Sequence, residues 1–478
     1  MMEAPVRSDP LEPGPGVPGL VDPGLTDPGI PDLYSGLPWW SVPFYWLALL
    51  VVVCSAISLV VLVVRAQIAI SRAERGRGRH RDAGARASER DYLWVFVVPA
   101  LNEEVTIADS VGRLALVEAT HKRILVVNDG SDDRTGEILD GLRAGVPELT
   151  VLTRVAPNAR QGKSEALNDA WRFLTHEILR SGPYAGWDPA KVIVTIVDAD
   201  GRLDPAAAAI ASHFEDERVG GVQALVRIYN RRGPLTWAQD VEFGVFGHVY
   251  QMGRKEWGIS NMGGNGQFNR LAALNDVAIE DSRGNLGPWR EGRLTEDQDI
   301  GLRIIRAGWR GSQSTTVTIH QQGLNSLRPL YRQRTRWAQG GWQSLDMAPS
   351  LARNRHVGLI ARWDQFWYLM TPLIQAYLGL ILALTVVLLA TGTTRVHWSW
   401  PILLVIYALS ILPSIVGVVF ARRRFGLIGI IVSFLAGHAY VLYTWLIYPV
   451  VFHALFRQLG RRTSWTKTKR EAIAATAG

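Results

Sequence analysis

Residues 191–201 read KVIVTIVDADG, six apolar or β-branched side chains in a row and then two carboxylates one residue apart. An unbroken run of this kind, bounded by turn residues, predicts a strand buried on both faces. The pattern recurs at YLWVFVVPA (92–100), RILVVND (123–129) and LTVLTR (149–154), each followed by a helix-like segment. Strands alternating with helices predict an α/β domain around a mostly parallel sheet. Ligands of such sheets gather at the carboxyl ends of the strands. The polar residues placed there are Asn102, Glu103 and Glu104 after the first strand, Asn128 and Asp129 after the second, and Asp198 and Asp200 after the fourth.

On either side of this domain the composition changes. Phe44–Val64, Phe366–Ala390, Trp398–Ala421 and Phe425–Phe452 contain no Asp, Glu, Lys or Arg. Each is long enough for a membrane helix, which needs about 20 apolar residues. The chain is therefore divided into a Pro-rich tail (1–38), a transmembrane helix (44–64), a basic juxtamembrane segment (65–90), the α/β domain (91–345), an interfacial helix (346–365), three transmembrane helices (366–452) and a basic tail (453–478). Ion and proton pathways need charge inside the membrane, so the charge-free blocks exclude a pump or transporter. The net charge of +8 has a local source, with eight arginines in 65–90. No aromatic residues interleave them, which argues against a nucleic-acid partner. Short basic flanks stay on the cytoplasmic side, so the α/β domain is expected in the cytoplasm of a multi-pass protein of the cell membrane. Four spans would then leave the basic C-terminal tail outside, a conflict that the interfacial helix, with Arg353, Arg355 and Arg362 beside Trp363, leaves open. The only cysteine, Cys54, lies in the first block, so no intrachain disulfide forms.

Four motifs carry chemistry. Asp198 and Asp200 can hold a divalent cation against a diphosphate, or Asp200–Gly201 can simply turn the chain. Asp129, in NDGSDD at 128–133, can meet a base or ribose, or cap the helix that follows. In TEDQD at 295–299, Thr295 and Gln298 have the spacing of a capping box, which leaves Asp297 in the first turn, where an anion is stabilised. A structural cap and a catalytic base are both open there. In QRTRW at 333–337, a helix would put Gln333, Arg336 and Trp337 on one face. Arg336 offers a two-pronged donor to phosphate and Trp337 a flat surface to a sugar. Membrane snorkelling suffices for Arg332 and Arg334.

In order along the chain, VPALNEE, NDGSDD, QGKSEALN, VDADG, GGNGQF, TEDQD and QRTRW, followed by apolar spans, resemble the membrane-embedded family-2 glycosyltransferases, which include cellulose, chitin, hyaluronan and poly-N-acetylglucosamine synthases. The motifs cover roughly residues 92–345, and the spans agree in layout. The resemblance implies a GT-A (Rossmann-like) α/β fold, a nucleotide-diphosphate sugar donor with UDP-sugars first, Mg²⁺ or Mn²⁺, and inversion at the anomeric carbon. It implies transfer of a hexose or N-acetylhexosamine to a growing β-linked polysaccharide, with an accessory secretion partner among the expected partners. Its alternative is a single transfer to a membrane lipid such as diacylglycerol. Carried over by residue, Pro99, Ala100, Asn102, Glu103 and Asp129 would line the nucleotide pocket, with Lys163 on the donor side. Asp198 would face the donor and, with Asp200, ligate the metal. Gly264, Asn265 and Gly266, in a loop running to Phe268, and Glu296 would face the acceptor. Asp297 would be the base; Gln333 and Arg336 would clamp the diphosphate, and Trp337 the acceptor sugar. Two positions depart from the family pattern: Asn128 replaces the first carboxylate of the usual pair, and Lys163 follows its glycine instead of preceding it.

Overall fold

The computed structural model describes residues 37–79, 88–394, 400–422 and 426–461. The Pro-rich tail up to residue 36, part of the basic segment (80–87), the start of the third apolar block and the C-terminal tail from 462 lie outside the described residues. Ten strands are formed: β1 (Leu93–Ala100), β2 (Lys122–Asn128), β3 (Leu149–Thr153), β4 (Val192–Ile196), β5 (Arg202–Leu203), β6 (Val219–Ile228), β7 (Gln267–Arg270), β8 (Ile279–Glu280), β9 (Leu286–Gly287) and β10 (Arg310–Gln321). Eight of them make one sheet in the order β3-β2-β1-β4-β7-β6-β10-β5, and β8 and β9 form a separate small hairpin.

The four strands expected from the apolar runs pair in parallel, Val97 of β1 facing Leu125 of β2 and Ile196 of β4. Their unbroken hydrophobicity has a direct cause, because the sheet carries a core on each face. Along β1, Trp94, Phe96 and Val98 enter one core and Leu93, Val95 and Val97 the other. β4 ends at Ile196, so Asp198 and Asp200 lie just past the ladder, where the chain is released from strand pairing. β7 runs antiparallel between β4 and β6. Gln267 and Phe268 are thus part of a strand, which shortens the expected acceptor loop to the residues before them. Its polar side chains are buried yet paired, as where Arg270 donates to the carbonyls of Val219 and Phe214, both at 2.9 Å.

Among the described residues four helical segments are long and apolar enough to cross a membrane: Val42–Ala73, Thr371–Ala390, Leu403–Arg422 and Gly426–Leu459. The first belongs to a helix, Val42–Arg79, that continues through much of the basic segment. The second begins later than the apolar block suggested. A separate helix, Leu359–Leu369, ends before it, and Pro372 opens the next helix, where its missing N–H is harmless. On Leu359–Leu369, Leu359, Ile360 and Trp363 point outward while Asp364 and Gln365 are buried.

The sheet domain rests directly on these helices. Ala238, Val241 and Val245 of the helix Pro234–Val245 pack against Leu59, Val418 and Tyr440. Nearby, Arg254 donates to Asp364 at 2.6 Å in a buried pair. Removing one partner of such a pair strands a charge and costs about 3–5 kcal/mol. Asp364→Ala should therefore lower the unfolding temperature of the detergent-solubilised protein by several degrees, and an unchanged melting curve would refute the coupling.

Candidate active site

The loops after β1 and β2 are bound to each other before any ligand is considered. Asn102 has φ +54°, an uncommon left-handed conformation that an Asn tolerates. Its N–H donates to Ser131 Oγ at 3.0 Å, and its Oδ1 accepts the Asp132 N–H at 2.9 Å. The Glu103 N–H donates to Thr135 Oγ1 at 2.8 Å. Asn128, in place of the usual carboxylate, closes the turn by accepting the Ser131 N–H at 3.1 Å.

Two adjoining cavities open at the carboxyl end of the sheet. The first, about 130 Å³, is lined by Pro99, Ala100, Glu103, Asp129, Lys163, Asp198, Asp200, Gln333 and Arg336, together with Arg160 and Gly162. The second, about 330 Å³, shares Lys163, Asp198, Gln333 and Arg336 with it and adds Gly264, Asn265, Glu296, Asp297 and Trp337. Nearly all the residues singled out in the sequence converge here. Four do not line either cavity, Glu104 and Asn128 at the strand ends and two given a ligand role, Asn102 and Gly266. Asn102 serves the loop junction, and Gly266 is held in the sheet, donating to the Ile196 carbonyl and accepting from Ala224, both at 2.9 Å.

Asp129 is less available than its position in the motif suggests. Its Oδ1 already accepts from Arg154 at 2.5 Å and from the Arg160 N–H at 2.9 Å. Burial raises its pKa, against the pull of those two donors. Lys163 bridges Asp198 Oδ1 at 2.8 Å and Glu296 Oε1 at 3.0 Å. Burial alone would lower its pKa; the surrounding carboxylates of Asp198, Glu296 and Asp297 outweigh that and keep the ammonium charged. Its place after the glycine thus puts a fixed cation between the two cavities.

Asp297 is half-buried at the start of the helix Glu296–Arg306, and its Oδ1 accepts the Gln298 N–H at 2.8 Å. Burial, reinforced by Glu296 and Asp198 and opposed by Lys163 and that N–H, pushes its pKa up to about 7. A carboxyl poised near neutrality can take a proton and release it. The expected capping box is absent: Thr295 makes no side-chain cap, and its hydroxyl instead donates to Gln298 Oε1 at 3.4 Å. The reason is packing. Helix Leu327–Ser344 comes so close that a Cβ at Gly340 would collide with Thr295 Oγ1, so this side chain is taken up by the neighbouring helix. Gly264 has a parallel role at φ +81°, where a Cβ would lie 2.8 Å from Asp297 Oδ2.

QRTRW lies in the helix Leu327–Ser344, as the spacing predicts. Gln333 and Arg336 reach both cavities, Trp337 the second. Among the described residues Arg336 has no ion pair or protein hydrogen bond, so its guanidinium is available to an anion. Arg334 is not a snorkelling residue. It is buried, donates to Glu242 Oε2 at 2.7 Å and to Tyr443 Oη at 3.2 Å, and lies 4.2 Å from the Trp337 ring centroid. Sequence inspection missed Arg160 in the first cavity and Glu242, Phe243, Gln313 and Tyr368 in the second. Of these only Arg160, a cation beside the Gly162 turn, carried a local signal.

Asp198 and Asp200 stand on one wall, with Asp200 Oδ2 accepting the Gln322 N–H at 3.0 Å. Among the described residues no group of three His, Cys, Asp or Glu side chains could enclose a metal. Two carboxylates beside a phosphate-sized cavity nevertheless suit a hard cation whose remaining ligands are phosphate oxygens and water.

Residues 193–452, more than half of the chain, match the model of glycosyl transferase family group 2, and residues 95–277 that of glycosyl transferase family 2. The beta-monoglucosyldiacylglycerol synthase of Nostoc is 29% identical over 336 residues, 69% of this chain and 64% of that one. The poly-beta-1,6-N-acetyl-D-glucosamine synthase of Staphylococcus aureus is 24% identical over 253 residues, 52% and 55% of the two chains. The chain thus spans at most about two thirds of the length of these relatives. Among solved structures, a mannosyltransferase from Pyrobaculum calidifontis, in complex with GDP-Man and Mn²⁺, superposes with a TM-score of 0.50 at 16% identity, over 85% of this chain and 98% of that one, a likeness of fold. The chain belongs to glycosyl transferase family group 2 and carries a GT-A-like domain on helices long and apolar enough to cross a membrane.

Proposed function

We propose that this protein transfers a sugar from a nucleotide-diphosphate sugar, UDP-sugars being the first candidates, with inversion, to a hydroxyl of a membrane lipid. The observation that carries the chemistry is the convergence of Asp297, poised near pH 7, with the unpaired Arg336 on one cavity. The nucleotide diphosphate would fill the first cavity, and the two sugars would meet in the second. Asp297 would take the proton from the acceptor hydroxyl as that oxygen bonds to the anomeric carbon. The bond from that carbon to the diphosphate oxygen breaks on the opposite face, and the leaving group keeps the electron pair. Arg336 would meet the growing charge through a bidentate contact. Lys163 holds Asp198 and Glu296 in place throughout. Asp198 and Asp200 would hold Mg²⁺ or Mn²⁺, which when bound supplies further neutralisation of the leaving diphosphate.

The choice of a lipid acceptor rests on where the second cavity sits. Glu242 and Phe243 reach it from the helix that packs on the candidate membrane helices, and Tyr368 lies three residues before Thr371–Ala390. Two of the glucosyldiacylglycerol synthases, those of Nostoc and Trichormus, also match more of the chain than the poly-N-acetylglucosamine synthase does, 69% against 52%, while that of Synechocystis matches 52%. Growing polysaccharide, the acceptor placed first by the sequence motifs, is the second reading, favoured by the carboxamides of Gln223, Asn265, Gln313 and Gln321 in the cavity wall. Membranes containing the protein, supplied with radiolabelled UDP- and GDP-sugars, should put label into organic-extractable lipid. Label in an insoluble polymer would establish the other acceptor. On the same reading the domain faces the cytoplasm, where nucleotide sugars are available.

Asp200→Ala should weaken donor binding at least about tenfold and abolish the response to added Mg²⁺ or Mn²⁺, since a hard cation depends on its few carboxylates. Isothermal titration with UDP, with and without EDTA, measures this. Wild-type binding and turnover that ignore EDTA would remove the metal from the proposal.

A further inference from the structure

We infer that Glu242 reads the acceptor by accepting a hydrogen bond from a hydroxyl other than the one that reacts, so that the preferred acceptor headgroup carries at least two hydroxyls. This rests on the second cavity being the acceptor site of the transfer proposed above.

Glu242 lies in the wall of the second cavity and not of the first, which places it away from the nucleotide. Its Oε2 is saturated, accepting from Tyr443 Oη at 2.6 Å and from Arg334 Nη2 at 2.7 Å. Oε1 has no hydrogen-bond partner among the described residues, while 34% of the side chain is exposed. One carboxylate oxygen is therefore anchored by two donors from two different helices, and the other is left for the cavity. The anchor also fixes Trp337, because the guanidinium that holds Glu242 lies 4.2 Å from the indole centroid. The carboxylate and the flat surface thus form one rigid unit. Gln313, on the same cavity, adds a buried Oε1 without a partner.

The chemistry that satisfies such a wall is a polyol. An acceptor with a single hydroxyl must commit it to Asp297 and would desolvate Glu242 with nothing in return. A buried acceptor atom left unmet is penalised more heavily than a met one is rewarded, and sites built to bind a hydroxyl discriminate strongly against ligands lacking it. A glycosylated lipid supplies the second hydroxyl, and bare diacylglycerol does not.

The test uses the full-length protein in mixed micelles, with the donor it turns over best from a panel of UDP-glucose, UDP-galactose, UDP-N-acetylglucosamine and GDP-mannose. Dioleoylglycerol and monoglucosyl-dioleoylglycerol are compared as acceptors. The wild type should favour the glycosylated lipid by about tenfold or more in kcat/KM, the scale of one well-made hydrogen bond to a charged group. Glu242→Gln should raise the KM for that lipid roughly fivefold or more while moving the donor KM less than about twofold, narrowing the preference. Equal use of the two lipids by the wild type overturns the inference without reference to any variant. A Glu242→Gln enzyme that loses kcat equally on both lipids and keeps its preference also overturns it, reducing Glu242 to a structural tie. Label entering neither lipid overturns the lipid acceptor itself, and the inference with it.

Discussion

Asp297→Asn is expected to abolish sugar transfer while UDP affinity stays close to that of the wild type. The amide keeps the shape and can still accept the Gln298 N–H that orients the side chain. It loses only the ability to take a proton. General-base assistance is worth about 10²–10⁴ in rate, so the variant should fall at least to the lower end of that range. Because burial raises the Asp297 pKa to about 7, the wild type needs the deprotonated form, and kcat/KM should fall about tenfold per pH unit below that value and level off above it. Stopped assays across pH 5.5–8.5, roughly one and a half units either side of that pKa, cover the transition. Near-normal turnover in the variant, or a flat pH profile in the wild type, would remove Asp297 from the role of base.

Arg336→Lys is expected to lower transfer by about 10² or more, the usual loss when an aimed donor is taken from a developing anion. Lysine keeps the charge but replaces the planar fork with a point donor. A membrane anchor would not register the exchange, since both side chains snorkel. Arg336 also lacks a carboxylate partner among the described residues, so the substitution breaks no internal ion pair and the loss can be read as lost grip on the ligand. Rates compared at matched membrane levels decide it, and wild-type rates in the lysine variant would return the residue to anchoring.

The parallel part of the sheet was legible because a strand covered on both faces must be apolar along its buried length, as LWVFVVPA of β1, ILVV within β2 and VIVTI of β4 nearly are. β7 was not, because three of its four residues, Gln267, Asn269 and Arg270, are polar and their burial is made good by hydrogen-bond partners, some distant in the chain, such as Val219 and Phe214 for Arg270. The placement of the candidate site was legible in part. The pattern places Asp198 past a strand end, Asp297 in a first helical turn and Arg336 and Trp337 on one helix face, while the roles proposed for them come from the family resemblance. Spacing could not separate neighbours in one motif. Arg334 and Arg336 look alike in QRTRW, and only the tertiary presence of Glu242 and Tyr443 sends one inward while the other lines both cavities. Thr295 and Gln298 had the right interval for a cap, but a local rule cannot anticipate a helix pressed against the threonine from the other side.

The seating of the helix Pro234–Val245 on Leu59, Val418 and Tyr440 has a kinetic meaning. In a bilayer, that contact would hold the second cavity at a set height above the leaflet. The two substrates would then be met in different dimensions. The donor arrives from a volume, and its capture follows bulk concentration. A lipid arrives along a plane, and its capture follows how many molecules occupy a unit area and how far each headgroup stands proud of the surface. An acceptor scarce in the cell but crowded into a patch of membrane would be used as though it were abundant.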